Sequence, residues 1–417
     1  MVKLLVFTFT VLLALTFAHE EEQNKFLSVQ QHYLNLTSSG GDELKSFIIL
    51  CKSKGYPVET HKILTEDGYW LTVFRIPGRK GQSREEAKAE HKPVIFLQHG
   101  IVDSSDTFIL NDEEKAPGFM LANAGYDVWL GNSRGSKHSR EHQWLDPDDP
   151  NDQVAFWDYS FEEMAEYDVK ANVEYILKTT GKSKLAIAAH SQGTTQMIYT
   201  MTNNNEWWNE KVSIFVCLAG VARLENCGSS TLQLLAKEDF VMNTIKALGI
   251  YEMFPSKYYQ NVVFSVICKN IPSICDFFLE VLSDNDAKVN NQNRIGVFLG
   301  HYPAGSSLKC FDHFRQILLA KQFQRYDYGE EMNMKKYGQK TPPAIDISKV
   351  RGTKIVQIAG SLDLLADPTD NKWLSDQFGD NLIYFKYYEL GHMGFLLADD
   401  MQFMHDVLVQ LKQNPWE

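Results

Sequence analysis

The sequence predicts an α/β fold in which a mostly parallel sheet is covered by helices on both faces. Three observations predict it. Short apolar or β-branched runs recur along the chain, each followed by a turn and a helical pattern: "PVIFLQHG" (93–100), "GYDVWLGNSRG" (125–135), "KLAIAAHSQG" (184–193), "VSIFVCLAG" (212–220), "TKIVQIAGSLD" (353–363) and "LIYFKYYELGH" (382–392). These runs carry little polar alternation, which is what strands need when neither face of the sheet meets water. The rhythm then fails between about residues 221 and 343, where helix-like and aromatic stretches such as "MFPSKYYQNVVFSVICKNIPSICDFFLEVL" take over. That stretch reads as a mainly helical insertion capping the sheet.

The expected organisation is therefore a leader at 1–18, a first core part at 19–220, a cap or lid insertion at 221–343 and a second core part at 344–417. At 417 residues and 44% hydrophobic composition, the chain is long enough to fill such a core. The leader reads as a secretory signal peptide: "MVKLLVFTFTVLLALTFAHEEE" sets Lys3 before an apolar run from Leu4 to Phe17, with small residues Thr16 and Ala18 at the expected cleavage site. The run is shorter than the ~20 residues that cross hydrocarbon, and acids follow it at once, so no stable membrane anchor is expected. Secretion is the expected fate, with the lysosome lumen as the alternative.

A formal net charge of -12 without any strongly basic block excludes a nucleic-acid partner, whose phosphates demand a positive face. The mixed-sign stretch "REEAKAEHK" (84–92) reads as a solvated surface. Six cysteines fit an oxidising compartment but are too few for a disulfide scaffold; Cys268 and Cys275, the closest pair, are the first choice for a bridge. Their spacings support no zinc site. "NLT" at Asn35 marks an expected surface glycan.

The chemistry-bearing stretch is Ala189-His190-Ser191-Gln192-Gly193. A nucleophile elbow needs a strand ending in a sharp turn, small residues two before and two after the nucleophile, and a helix departing at once. The stretch meets each demand, and the helix that follows carries Met197, Ile198 and Met201 at helical spacing. By itself this pattern is weak, because a strand-end hydroxyl that caps the next helix looks the same.

Partners strengthen it. A serine hydroxyl becomes nucleophilic when an imidazole takes its proton, and the imidazole needs a carboxylate to set its tautomer. The last two strand-like runs end in "GSLDLLADPTD" and "ELGHMGF", which supply Asp363 and His392 in the order serine, acid, base. Asp367 is the rival acid, but "ADPTD" reads as a helix start, with Asp367 as cap and Pro368 at the first helical position. His190 is expected to turn away from the chemistry. An oxyanion would be met by the backbone N–H of Gln192 and by that of Ile101, in the loop "LQHGIVDSSD".

Taken together, "GYPVETHKILTEDGYWLTVFRIP", "LQHG", "LANAGYDVWLGNSRG", "FWDYSFEEMAEYDV", "HSQGTTQ", "HYPAGSS", "YDYG" and "LDLLADPTD" resemble the acid lipase family of gastric and lysosomal acid lipase type, from about Gly55 to the C-terminus. The resemblance implies an α/β-hydrolase fold with a helical cap and lid. It also implies hydrolysis of acylglycerols or cholesteryl esters at a lipid interface, and no cofactor. Ser191 then corresponds to the nucleophile, Asp363 to the acid, His392 to the base, and Ile101 with Gln192 to the oxyanion donors. Two departures stand out: Ala189 replaces the usual first glycine of the elbow, and Gly394 in "HMGF" stands where the family usually has an acid. Retention of all three triad residues weighs against a lipid-binding homologue without chemistry. The large apolar insertion favours lipids over the soluble esters of a carboxylesterase.

Overall fold

Parallel strands from distant parts of the chain meet at the centre of the sheet because their residues are buried on both sides. The structure is a computed structural model that describes residues 41–237, 239–256, 284 and 286–416. The leader, Asn35, the Cys268–Cys275 pair and residues 257–283 of the aromatic stretch lie outside the described residues.

The strands are β1 (Glu59–Leu64), β2 (Tyr69–Ile76), β3 (Val94–Gln98), β4 (Asp127–Leu130), β5 (Glu141–His142), β6 (Leu185–His190), β7 (Val212–Leu218), β8 (Glu252–Met253), β9 (Ser306–Ser307), β10 (Lys354–Gly360) and β11 (Leu382–Tyr388). The main sheet runs β1-β2-β4-β3-β6-β7-β10-β11, with β5 paired to β2. From β4 to β11 every pairing along this path is parallel, whereas β1, β2, β4 and β5 join through antiparallel pairs. The six runs identified in the sequence are the six parallel strands. The β1–β2 hairpin did not stand out as a strand pair, because "ETHKIL" alternates between covered positions, half-buried Glu59 and His61 and buried Ile63, and exposed ones, as a one-faced strand does.

In chain order, α1 (Arg84–Ala89), α2 (Pro117–Asn123), α3 (Lys170–Thr180) and α4 (Gln192–Asn203) accompany the first strands. Among the described residues, five α-helices lie between β7 and β10: α5 (Ser230–Lys237), α6 (Asp239–Ala247), α7 (Ile295–His301), α8 (Leu308–Ala320) and α9 (Glu330–Tyr337). They are joined by the small β8–β9 pair. Finally, α10 (Pro368–Phe378), α11 (Gly394–Leu397) and α12 (Gln402–Gln413) follow the last strands. The charged stretch at 84–92 forms α1, which Ser83 and Glu86 close with a reciprocal capping box, so local hydrogen bonds rather than a core fix its start.

Alternate residues of the central strands feed two cores. Ile95, Leu97, Ala186, Ala188, Ile214 and Val216 join α2 and α12 through Phe119, Leu121, Phe403 and Val407. On the other face, Phe96, Leu185, Ile187, Phe215 and Cys217 join α3, α4 and α10 through Ile176, Ile198 and Leu374. Each fully buried Ile, Leu or Phe side chain stabilises this sandwich by about 1.5–3 kcal/mol, and the buried polar residues of these strands are held by hydrogen bonds, as Gln98 is to Ser133 (2.8 Å). β11 differs: it is the sheet edge, with Ile383, Lys386 and Tyr387 exposed. A lysine on that edge disfavours pairing with another chain.

Candidate active site

Every residue of β6 is buried, and its last residue, His190, leads directly into Ser191. Ser191 has φ +54°, a conformation that side-chain-bearing residues rarely adopt and that marks strain held by surrounding structure. The hold is visible: the Ser191 amide donates to the Leu218 carbonyl of β7 (3.1 Å), and its own carbonyl accepts the Thr194 amide (2.8 Å) and the Thr194 hydroxyl (2.6 Å). Gly193 is required two residues later, because a Cβ there would stand 2.7 Å from the Gln98 carbonyl oxygen and 2.8 Å from that of His99. Ala189 carries no such constraint. It pairs in register with Gln98 and Cys217 as an ordinary buried strand residue, so its methyl is accommodated in place of the usual glycine.

The loop after β3 reaches the same point. A Cβ on Gly100 would lie 3.0 Å from the Ser191 Cβ, which puts Ile101, the next residue, beside the elbow that carries Gln192. This loop is anchored by buried acids. Asp103 accepts the Ser104 amide (2.6 Å) and the Thr107 hydroxyl (3.0 Å), and burial pushes its carboxyl up to about 7. Asp106 accepts from Lys137 (2.6 Å), His138 (2.7 Å) and His301 of α7 (2.8 Å). Burial disfavours the Asp106 charge, but Lys137 and the two imidazoles outweigh it and hold the carboxyl well below its ordinary range.

Asp363 and His392 arrive from the loops after β10 and β11. Those loops are tied together by the Ser361 amide on the Tyr388 carbonyl (2.8 Å) and the Leu362 amide on the Leu390 carbonyl (3.0 Å). Gly360 permits the crossing, since a Cβ on it would stand 2.3 Å from the Leu390 oxygen. Asp363 Oδ1 accepts the amides of Leu365 and Ala366, both at 2.8 Å, which leaves Oδ2 aimed at His392 Nδ1 at 2.8 Å. The Nδ1–H donates to this carboxylate, so Nε2 carries the lone pair that faces Ser191 Oγ at 2.8 Å. Burial by itself would lower the His392 pKa, yet Asp363, followed by Asp284 and Asp103, outweighs it and raises the imidazole above its ordinary value.

Asp367 takes the role expected of it, capping α10 through the Thr369 amide (2.7 Å), with Pro368 in the first turn. His190 does not. Instead of turning away, its Nε2–H donates to the His392 carbonyl (2.9 Å), and the two rings lie 5.0 Å apart. The loop bearing His392 crosses the end of β6, so both consecutive side chains, His190 and Ser191, meet it. Burial drives the His190 pKa well below its usual value, keeping the ring a neutral donor. Gly394, the other departure, begins α11, where its amide bonds to the Gly391 carbonyl (3.1 Å) and the Leu397 amide to that of Met393 (3.0 Å). Sequence reasoning also missed Asp103 and Asp106, although two acids directly after a strand-end glycine were a visible signal. The four described cysteines, Cys51, Cys217, Cys227 and Cys310, are buried free thiols.

Among the described residues no helix is long and apolar enough to cross a membrane. Residues 47–112 match the family described as partial alpha/beta-hydrolase lipase region, and residues 93–399 the family described as alpha/beta hydrolase fold. The gastric triacylglycerol lipase of Rattus norvegicus is 35% identical over 349 residues, covering 83% of this chain and 86% of that protein. Lipase member K of Homo sapiens is 35% identical over 366 residues, 86% of this chain and 88% of the relative. The crystal structure of the alpha/beta hydrolase GrgF from Penicillium sp. sh18 shares the fold, with a TM-score of 0.50 at 12% identity over 86% of this chain and 99% of that one. The chain belongs to the lipase family of the α/β-hydrolase fold and is, by class, an ester hydrolase.

Proposed function

We propose that the protein is a secreted serine lipase that hydrolyses the ester bonds of neutral lipids, triacylglycerols or cholesteryl esters, through an acyl-enzyme on Ser191. The observation that carries this reading is the unbroken chain from Asp363 through His392 to Ser191, with both contacts at 2.8 Å. His392 Nε2 takes the Ser191 proton as Oγ attacks the ester carbonyl carbon, and Asp363 stabilises the imidazolium that forms. The amides of Ile101 and Gln192 receive the oxyanion. Collapse breaks the ester C–O bond, and the departing alkoxide takes the proton from His392. Water then repeats the two steps on the acyl-enzyme, releasing fatty acid and restoring the serine. The insertion between β7 and β10 serves as the cap that covers the acyl chain.

A base must be neutral to act, so kcat/KM falls on the acid side as His392 protonates. Its raised pKa puts the midpoint above the ~6.5 of an unperturbed histidine. The test is to purify the protein from medium and assay wild type and Ser191→Ala on emulsified triolein, cholesteryl oleate and a soluble short-chain ester between pH 4 and 9. Serine-dependent fatty-acid release from either lipid, with that acid limb, is the expected result. Cleavage of the soluble ester alone would make the protein a carboxylesterase, and no release from any ester would overturn the catalytic reading.

A further inference from the structure

Asp284 is carried by the insertion, yet it lies inside the machinery just described. It is fully buried. Its backbone forms an isolated antiparallel bridge with that of Asp363. Its Oδ1 accepts the amide of Met393, the residue after the base, at 3.4 Å, and its Oδ2 accepts the side-chain amide of Asn290 at 3.1 Å. The segment that follows is stitched to the far end of the same loop: the Asn291 amide donates to the Leu397 carbonyl (2.7 Å) and the Asp399 amide to that of Val289 (3.0 Å). Gly391 leaves the space, since a Cβ there would stand 2.2 Å from the Asp284 carboxyl carbon. A side chain at 391 and a carboxylate at 284 exclude one another.

We propose that Asp284 is a positioning residue for His392, holding the Gly391–Met393 turn against the Asp363 loop and adding a second negative charge beside the imidazole. The proposal rests on the reading of His392 as the base. A buried carboxylate beside an imidazole favours positive charge on that ring. Such charge forms on His392 each time it takes the Ser191 proton. The insertion therefore contributes to the electrostatics of the site as well as covering it.

Among the described residues, the groups facing His392 are Asp363 from the loop after β10, Asp284 from the insertion, Asp103 from the loop after β3, and His190 with Ser191 from the end of β6. Asp284→Asn keeps the shape and an acceptor oxygen but removes the charge. The expected results are a downward displacement of the acid limb of kcat/KM on a soluble ester by about half a pH unit or more, and a roughly tenfold lower kcat at the plateau. Because Asp103 titrates in the same range, the comparison is repeated in an Asp103→Asn background, where the displacement must persist. The downfield proton of the His392–Asp363 hydrogen bond, followed by NMR titration, reads the same shift without turnover. Gly391→Ala, which drives the carboxylate off the turn, should displace the midpoint in the same direction and serves if Asp284→Asn does not fold. An unchanged NMR midpoint in folded variants overturns the proposal. A wild type that titrates as expected but cleaves no ester overturns the proposed function and leaves the coupling between Asp284 and His392 standing.

Discussion

At the scale of single residues, the site depends on which atom each side chain is left free to offer. Asp363 commits Oδ1 to two backbone amides and presents Oδ2 to His392, while His190 commits its Nε2–H to the His392 carbonyl. Replacing Asp363 with Asn leaves the shape but lets the amide stabilise the wrong imidazole tautomer. Asp363→Asn is therefore expected to lower kcat by about 10⁴-fold with little change in melting temperature. A loss below about tenfold, measured by single-turnover acylation with a chromogenic ester, would remove Asp363 from the role of acid.

At the scale of elements, the elbow is a close approach of backbone to backbone: α4 leaves Ser191 directly against the end of β3. Gly193→Ala would set a methyl 2.7 Å from a carbonyl oxygen of that strand end, and a central strand cannot retreat when both its faces are packed. We expect either loss of folded protein or a destabilisation of about 2–4 kcal/mol, together with a larger loss of activity because Ser191 moves with the helix. Urea unfolding of the purified variant gives the first quantity and the ester assay the second; unaltered values for both would mean that the elbow is looser than its geometry implies.

For the whole molecule, buried neutral histidines link stability to pH. His313 on α8 stacks on Phe161 with ring centroids 4.1 Å apart and donates Nε2–H to the Gln324 carbonyl (3.0 Å). Burial pushes its pKa down to about 4. The unfolded chain protonates near 6.5, so between these values it binds a proton that the folded chain does not. The contribution of His313 is thus present above about pH 6.5 and is lost as pH falls toward 4. His313→Gln should lower the melting temperature at pH 7, and the gap to wild type should narrow by pH 4.5. A gap that stays constant across that range would show that His313 does not titrate with folding.

What the sequence determined by itself was local. The six parallel strands were legible because two-sided burial leaves a nearly unbroken apolar run, and the elbow because small residues must flank a strained serine. Ser191, Asp363 and His392 were legible as candidates because each ends a strand-like run. Folding decided which runs are neighbours, since strands buried on both faces look alike and nothing in β3 marks β4 and β6 as its partners. It also turned His190 onto the His392 loop and brought in Asp284 from 109 positions before Met393. A lone acid in an insertion carries no period and no spacing rule, so its burial beside His392 is a property of three-dimensional packing alone.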